Sequence, residues 1–277
     1  MSFNSYFKVI KKNFKIREAF IVLLIAGLSV GMVKYFARKA GVWRTIRVEV
    51  IGSGWEENAY QPVKPPFWLS EKIKVNDVER GVDGSEIAQV LRVENYERGD
   101  EKADVYLILK VKTEFNGKME KYVFKGKAIE VGAMVEFRLE NALIRAQVVD
   151  DQVPEEGYEQ KEVIIQGRWP NQEPWSVNQI KVGDTMVDRG SNQVAAEVLS
   201  VWSESATINL SHIDQLLVSS NPRRVDGLIK LKMRLVKYDD RWYFAGHQKV
   251  KVGRHIWVYL PEVDISYLEV VAINPVN

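Results

Sequence analysis

The feature that most constrains this chain is an apolar run near its start, from Ala19 to Val33. Crossing the hydrocarbon core of a bilayer takes roughly 20 apolar residues in a helix. The Lys34 side chain can reach back to the membrane surface, so the apolar path continues beyond Val33. The pattern predicts a transmembrane helix over residues 19–38, preceded by a basic segment over residues 1–18. Basic residues flank the run on both sides: Lys8, Lys11, Lys12, Lys15 and Arg17 before it, and Lys34, Arg38, Lys39, Arg44 and Arg47 after it.

The competing interpretation of the run is a secretory signal peptide. A signal peptide has a short basic region before its apolar core and a cleavage site of small residues after it. Here 18 residues precede the run, and the segment from Lys34 to Gly41 offers a poor cleavage site. We therefore expect the helix to stay in the protein as a single-pass anchor in the lipid bilayer.

The charge balance bears on both orientation and partners. Five basic residues on each side of the run leave the positive-inside rule undecided. Residues 1–47 hold ten Lys and Arg and one acidic residue, a net charge of +9, and because the whole chain carries +2 the remainder carries −7. A mildly acidic body gives no reason to expect nucleic acid as a partner. We expect residues 1–18 in the cytoplasm and the C-terminal body outside it.

Two small residues mark one face of the predicted membrane helix. Gly27 and Gly31 form a Gly-x-x-x-Gly motif, a spacing that lets two membrane helices approach closely. Glycine is also frequent in membrane helices that make no such contact, so both interpretations stay open. The chain has no cysteine, which excludes disulfides and thiol catalysis.

The second strong signal is an internal duplication. The segment from Ile73 to Val93 matches that from Ile180 to Val201, and Tyr122 to Gly132 matches Tyr243 to Gly253. The spacing between equivalent positions grows from 107 to 121 residues, so the second copy is longer. The repeat predicts a first module over residues 46–152, a polar linker over residues 153–160 and a second module over residues 161–277.

Both copies alternate apolar and polar residues as strands do. In the first copy Val105, Leu107, Leu109 and Val111 fall on one face, and Asn116-Gly117 then predicts a tight hairpin turn. Short strands separated by turn signals are typical of a small barrel or sandwich. We predict a mainly β protein in which the transmembrane helix is followed by two tandem small β-barrel or β-sandwich modules. The second copy shows the same alternation from Leu228 to Val236 with Asp239-Asp240 at its turn, and Ile213 to Val218 is predicted as a short helical turn.

The Lys-Val-Gly-Asp element has a simple physical interpretation. A strand-like segment ends at Val182, Gly183 takes a positive φ, and Asp184 accepts hydrogen bonds from N–H groups of the turn. Asn76 replaces the glycine in the first copy, and Asn tolerates positive φ better than most residues.

These motifs resemble an uncharacterised family of bacterial membrane-anchored β-domain proteins. The resemblance is carried by the membrane helix, the strand Ile46-Arg-Val-Glu-Val, the Lys-Val-Gly-Asp turn, Ala-Glu-Val-Leu-Ser-Val and Tyr-Phe-x-Gly with a later Lys-Val-Gly. It covers most of the chain, with the β-unit present twice. The resemblance implies a topology and no particular activity.

Residues that carry catalysis or bind metals are not grouped along the sequence. The three histidines, His212, His247 and His255, are not at ligand spacing, and there is no cysteine to join them. The sequence has no phosphate loop, dinucleotide fingerprint or nucleophile elbow. Its acidic pairs fall in predicted turns, where Asp is favoured for local hydrogen bonding. We expect no enzyme activity, catalytic residue, cofactor or metal.

Four tryptophans near the module starts are candidate contact residues: Trp55, Trp68, Trp169 and Trp175, all close to prolines. Aromatic rings on loops of a β scaffold can hold a partner protein or a sugar, whereas rings turned inward would close each barrel mouth. We expect a structural or adaptor subunit of the cell envelope that works through protein–protein contacts, including contacts with its own copies in a homo-oligomer. The alternative is a polysaccharide- or peptidoglycan-binding module that uses these Trp and Pro loops.

Overall fold

In the computed structural model the described residues are 21, 23–29, 41–52, 63–99, 101–154, 157–212 and 215–276, with only the backbone described at 207–212, 215–220 and 222. The structure is mainly β. Its strands form two antiparallel eight-stranded sheets, and each sheet curls into a barrel-like module, as the sequence predicts. Residues 21 and 23–29 of the predicted membrane helix are helical, and the rest of residues 1–38 lies outside the described residues. In the described part of the chain no helix is both long and apolar enough to span a bilayer.

The first module is built around the strand order β2-β3-β4-β1-β8-β7, with β5 and β6 continuing from the end of β4. The two edge strands β2 and β7 approach each other, so the sheet nearly closes. The elements are β1 (Val42–Ile51), α1 (Phe67–Ser70), β2 (Val78–Arg80), β3 (Glu86–Glu97), β4 (Ala103–Asn116), β5 (Lys121–Phe124), β6 (Lys127–Ala128), β7 (Met134–Arg138) and β8 (Leu143–Asp150).

The second module repeats this topology, in the order β10-β11-β12-β9-β16-β15 with β13 and β14 continuing from β12. Bulges recur at equivalent places, between Val90 and Arg92 in β3 and between Val198 and Ser200 in β11. Because a bulge bends its strand and increases the twist, it helps each sheet to curl. The elements are β9 (Gln160–Gln172), α2 (Pro174–Gln179), β10 (Thr185–Asp188), β11 (Gln193–His212), β12 (Gln215–Tyr238), β13 (Arg241–Phe244), β14 (Gln248–Lys249), β15 (His255–Tyr259) and β16 (Asp264–Pro275).

The Lys-Val-Gly-Asp turn has the predicted geometry in both modules. Gly183 has φ +91° and Asn76 has φ +71°. The Asp184 and Asp77 carboxylates each accept a 2.8 Å hydrogen bond from the backbone N–H three residues earlier. The substitution of Asn for Gly therefore preserves one backbone conformation.

The same turn also precedes the seventh strand of each module. Gly132, with φ +92°, donates its N–H to the Val148 carbonyl at 2.8 Å, and Gly253, with φ +79°, does so to Val270 at 2.8 Å. Each module therefore consists of two similar halves. In the first module these halves are β2-β3-β4 and β7-β8-β1, and they meet where β4 pairs antiparallel with β1.

Two local predictions are wrong. Asn116-Gly117 does not form a two-residue turn: the loop runs over residues 117–120, its positive φ is at Glu120, and the Asn116 side chain accepts the Lys118 N–H at 3.0 Å. The short helical turn predicted at Ile213 to Val218 is a strand from residue 215 onward. There β12 pairs with β11 as far as Gln215 opposite His212, because strand pairing satisfies the backbone along this hairpin.

Candidate functional site

Two of the predicted contact residues are exposed at equivalent positions. Trp68 on α1 is 66% exposed and Trp175 on α2 is 61% exposed. Pro66 precedes α1 and Pro174 begins α2, a position that suits proline because its missing N–H has no partner in a first helical turn. The structure thus presents one indole ring from each module, on a short helix rather than on a loop.

The other two predicted tryptophans differ from this pair. Trp169 lies on β9 and is only 4% exposed, within the hydrophobic core of the second module. Its ring fills the barrel interior, in line with the inward orientation considered for these residues. Trp55 is outside the described residues. The candidate helix-contact residue Gly27 lies in the described helical segment, and Gly31 lies outside it.

A buried ion pair lies where the two modules meet. At this module junction, defined by Arg47, Glu94, Tyr106, Tyr238 and Gly246, the Arg47 side chain is 4% exposed. Its guanidinium donates from Nη2 to Glu94 Oε2 at 3.0 Å and to the Gly246 carbonyl of the second module at 3.1 Å. Arg47 thus pairs with Glu94 inside the first module and connects the two modules through its hydrogen bond to the Gly246 carbonyl.

Two tyrosines enclose the same guanidinium. Its central carbon lies 4.4 Å from the ring centroids of Tyr106 in β4 and Tyr238 in β12. Burial raises the pKa of both tyrosine hydroxyls, so the rings stay neutral. Burial alone would lower the pKa of Arg47, but the charge of Glu94 and the hydrogen bond to it raise it instead. The junction therefore holds a permanent cation between two aromatic faces.

A second set of contacts lies beside the Arg47 pair. The Asn95 N–H donates to Asp188 Oδ1 at 2.8 Å, and the Arg189 N–H donates to the Asn95 carbonyl at 2.8 Å. The Arg189 side chain also pairs with Glu97. Tyr96, although it belongs to β3 of the first module, is 5% exposed within the core cluster of the second. The modules are therefore joined by one backbone–backbone hydrogen bond, by one from a backbone N–H to a carboxylate, and by a shared core residue.

Glycine makes the close approach of the modules possible. A Cβ at Gly246 would overlap the Tyr106 ring, and a Cβ at Gly190 would overlap the Val93 carbonyl. Gly126, the first-module equivalent of Gly246, has the same positive φ but no atom within 4 Å of the Cβ position. The junction is thus built on one specific pair of surfaces.

A cleft of about 820 Å³ opens next to the junction. His247 lies on its wall, and its Nδ1 is 3.2 Å from the Ala245 carbonyl. Burial lowers the pKa of His247 below the ordinary value of 6.5. In the described part of the chain no group of three or more His, Asp or Glu side chains could hold a metal ion. The cleft is also lined by the basic side chains Arg47 and Lys237 and by a set of aromatic and acidic residues: Tyr158, Tyr238, Tyr243, Asp150, Asp151, Asp239 and Asp240.

The module junction is the site that sequence reasoning missed. Its signal was present in β4, where Tyr106 and Ile108 place apolar side chains on the face opposite the predicted core. The structure buries both residues, at 2% and 7% exposed. A strand that is apolar on both faces is expected to be buried on both sides of its sheet.

No protein-family model, curated protein or solved structure matches this chain.

Proposed function

We propose that this protein is a membrane-anchored structural or adaptor subunit of the cell envelope, acting through protein–protein contacts of its two modules. The observation that carries the proposal is the module junction. Because the Arg47–Gly246 and Asn95–Asp188 hydrogen bonds between the modules are buried, the modules are held as one body with their outer surfaces at a fixed spacing. A fixed spacing suits a platform that must present two equivalent surfaces together.

The exposed indole rings supply a means of contact. Trp68 and Trp175 each expose more than half of a large amphipathic side chain. Tryptophan is enriched among the residues that dominate the binding energy of protein interfaces. A partner that touches both rings would gain from two sites presented by one scaffold.

The anchor follows from the apolar run over residues 19–33 and its basic flanks. β1 begins at Val42, only four residues after the predicted span of 19–38 ends. Under this proposal the first module lies against the membrane surface and the second extends away from it. We place residues 1–18 in the cytoplasm and both modules outside it.

The test is purification of the full chain from native membranes after mild cross-linking. Partners should co-purify with the unaltered protein and be lost from the double variant Trp68→Ala, Trp175→Ala. Phe115→Ala is the matched control, because Phe115 is a similarly exposed aromatic, at 59%. A chain that purifies without partners, or a control that loses them equally, would overturn the proposal. Protease treatment of intact cells would report the side on which residues beyond Trp43 lie.

The second candidate is polysaccharide or peptidoglycan binding. It is favoured by one observation: two exposed indole faces occupy equivalent positions, and sugar rings stack on such faces. Purified peptidoglycan should then retain the unaltered protein and release the same double variant. Retention of both proteins would remove the basis for this function.

A further inference from the structure

A hairpin protrudes from the end of the first module that follows the predicted membrane span. β1 begins at Val42, which pairs with Thr113 of the antiparallel strand β4. β4 continues for three residues beyond Thr113, to Asn116, a distance of about 10 Å in a strand. Because β1 and β4 are antiparallel, the segment that precedes Val42 leaves the sheet in the direction in which β4 continues. Residues 115–120, which we call the tip, therefore extend past Val42 on the side of the predicted span.

The tether between the predicted span and β1 is short. The span ends at residue 38, so the chain has four residue steps in which to reach Val42, at most about 14 Å. Gly41 already runs beside β4, since a Cβ on it would lie 3.2 Å from the Thr113 carbonyl oxygen. The headgroup layer adds about 5–7 Å outside the hydrocarbon of a bilayer. With the strands upright, even a fully extended tether therefore brings the tip to this layer.

The side chains exposed at this end are of the kinds that occur at membrane interfaces. Phe115 is 59% exposed, Met119 48% and Trp43 40%. The Lys110 ammonium nitrogen lies 5.4 Å from the centroid of the Trp43 ring. Apolar and aromatic side chains with basic ones beside them are typical of surfaces that lie in the interfacial layer. Over residues 42–44 and 110–121 basic side chains outnumber acidic ones by five to two: Arg44, Lys110, Lys112, Lys118 and Lys121 against Glu114 and Glu120.

The second module, which does not follow the span directly, has charged residues at the equivalent positions. The strand registers make Glu162 the equivalent of Trp43 and Lys237 the equivalent of Phe115. The equivalent turn is the residue pair Asp239-Asp240. Since the two modules share one topology, the fold itself does not require apolar side chains at this end. The apolar tip is therefore specific to the module that is next to the predicted anchor.

We infer that the tip and Trp43 form a membrane-contact surface, which docks into the headgroup region of the bilayer that holds the anchor. This inference rests on the anchor in the proposed function and names the lipid bilayer as the partner of this surface. Lipid is the occupant because the short tether holds the surface at the bilayer whether or not a protein partner is bound. Contact at two points, the span and the tip, limits rotation of the first module about its tether. Because the junction hydrogen bonds hold the two modules together, the second module is oriented as well.

The test uses single cysteines in the full chain, which has no cysteine of its own. Met119→Cys is labelled with an environment-sensitive fluorophore and reconstituted in vesicles of phosphatidylcholine and phosphatidylglycerol. The emission of the label should shift to shorter wavelength and should be quenched by lipids brominated near the headgroup. Leu143→Cys is the matched control, because Leu143 is an apolar residue of the same module that is also 59% exposed. It lies at the opposite end of β1, where Ile51 pairs with Arg145, so its label should stay in water.

A further substitution checks that the signal depends on the tip. Phe115→Glu, added to the Met119→Cys variant, should abolish both the shift and the quenching, whereas Leu143→Glu should leave both unchanged. A label at residue 119 that stays in water, or equal quenching at residues 119 and 143, would overturn the inference.

Extraction of the same vesicles with alkaline carbonate separates this inference from the proposed anchor. A chain that stays in the membrane with an unquenched label at residue 119 keeps its anchor, and only the docking of the tip is refuted. A chain that is released refutes the anchor and the docking together. Protein partners that still co-purify through Trp68 and Trp175 would support the adaptor function in either case.

Discussion

Removal of the Arg47 charge should lower the free energy of unfolding of the protein. The change Arg47→Met leaves Glu94 buried at 2% exposed and leaves the Gly246 carbonyl without its donor. Breaking a buried ion pair from one side typically costs about 3–5 kcal/mol. Arg92 Nε lies 3.6 Å from the other Glu94 oxygen and can compensate in part, so we expect about 3 kcal/mol.

The assay is urea unfolding of the full chain in mild detergent, followed by tryptophan fluorescence. Each module has its own core, so loss of the junction should split a single transition into two. The double variant Arg47→Met, Glu94→Leu should lose less stability than the two single variants summed, because it removes both charges together. Arg138→Met, which alters a 76%-exposed side chain, should change stability by less than about 0.5 kcal/mol. An Arg47→Met loss as small as this, or strictly additive effects, would refute the reasoning.

Three further predictions concern single residues. Gly246→Ala should destabilise by about 1–3 kcal/mol more than Gly126→Ala in the same urea assay, since both strain a positive φ but only Gly246 meets the Tyr106 ring. Trp169→Ala should cost about 3–5 kcal/mol, whereas Trp68→Ala should leave the unfolding midpoint nearly unchanged. His247→Gln should flatten the pH dependence of stability below pH 6.5. The native pKa of His247 is lowered, so the unfolded chain takes up the proton first as the pH falls. In the unaltered protein the stability present above pH 6.5 is therefore lost as pH falls toward the native pKa. An unaltered slope in that variant would contradict the assignment.

The repeat and the turns were predictable because they depend on local chemistry. Gly183 and Asn76 share a positive φ, and the Asp that follows each accepts a hydrogen bond from a backbone N–H of the same turn. The conformation of this turn is therefore determined by residues that lie within five positions of one another. Strand alternation likewise located the inner face of β4. The half-module repeat was open to the same reasoning, since Gly132 and Gly253 precede strands in the same way.

The module junction was not predictable from single-strand patterns. Arg47 and Glu94 look like ordinary outward-facing charges, and only the stacking of the second module buries them. Their partners come from positions as far as 199 residues away, a separation on which local sequence carries no information. The Asn116-Gly117 turn failed for a different reason: the Asn116 side chain stabilises a longer loop by accepting backbone N–H groups.

The position of Tyr96 and Tyr106 has a consequence for biosynthesis. Ribosomes deliver the N-terminal half first, so β8 is complete at Asp150 before β13 and Gly246 exist. During that interval both tyrosines face water on an otherwise finished barrel. The nascent protein therefore passes through a stage in which the surface that carries Tyr96 and Tyr106 is uncovered. A chaperone or a neighbouring nascent chain would meet that surface before the C-terminal half can cover it.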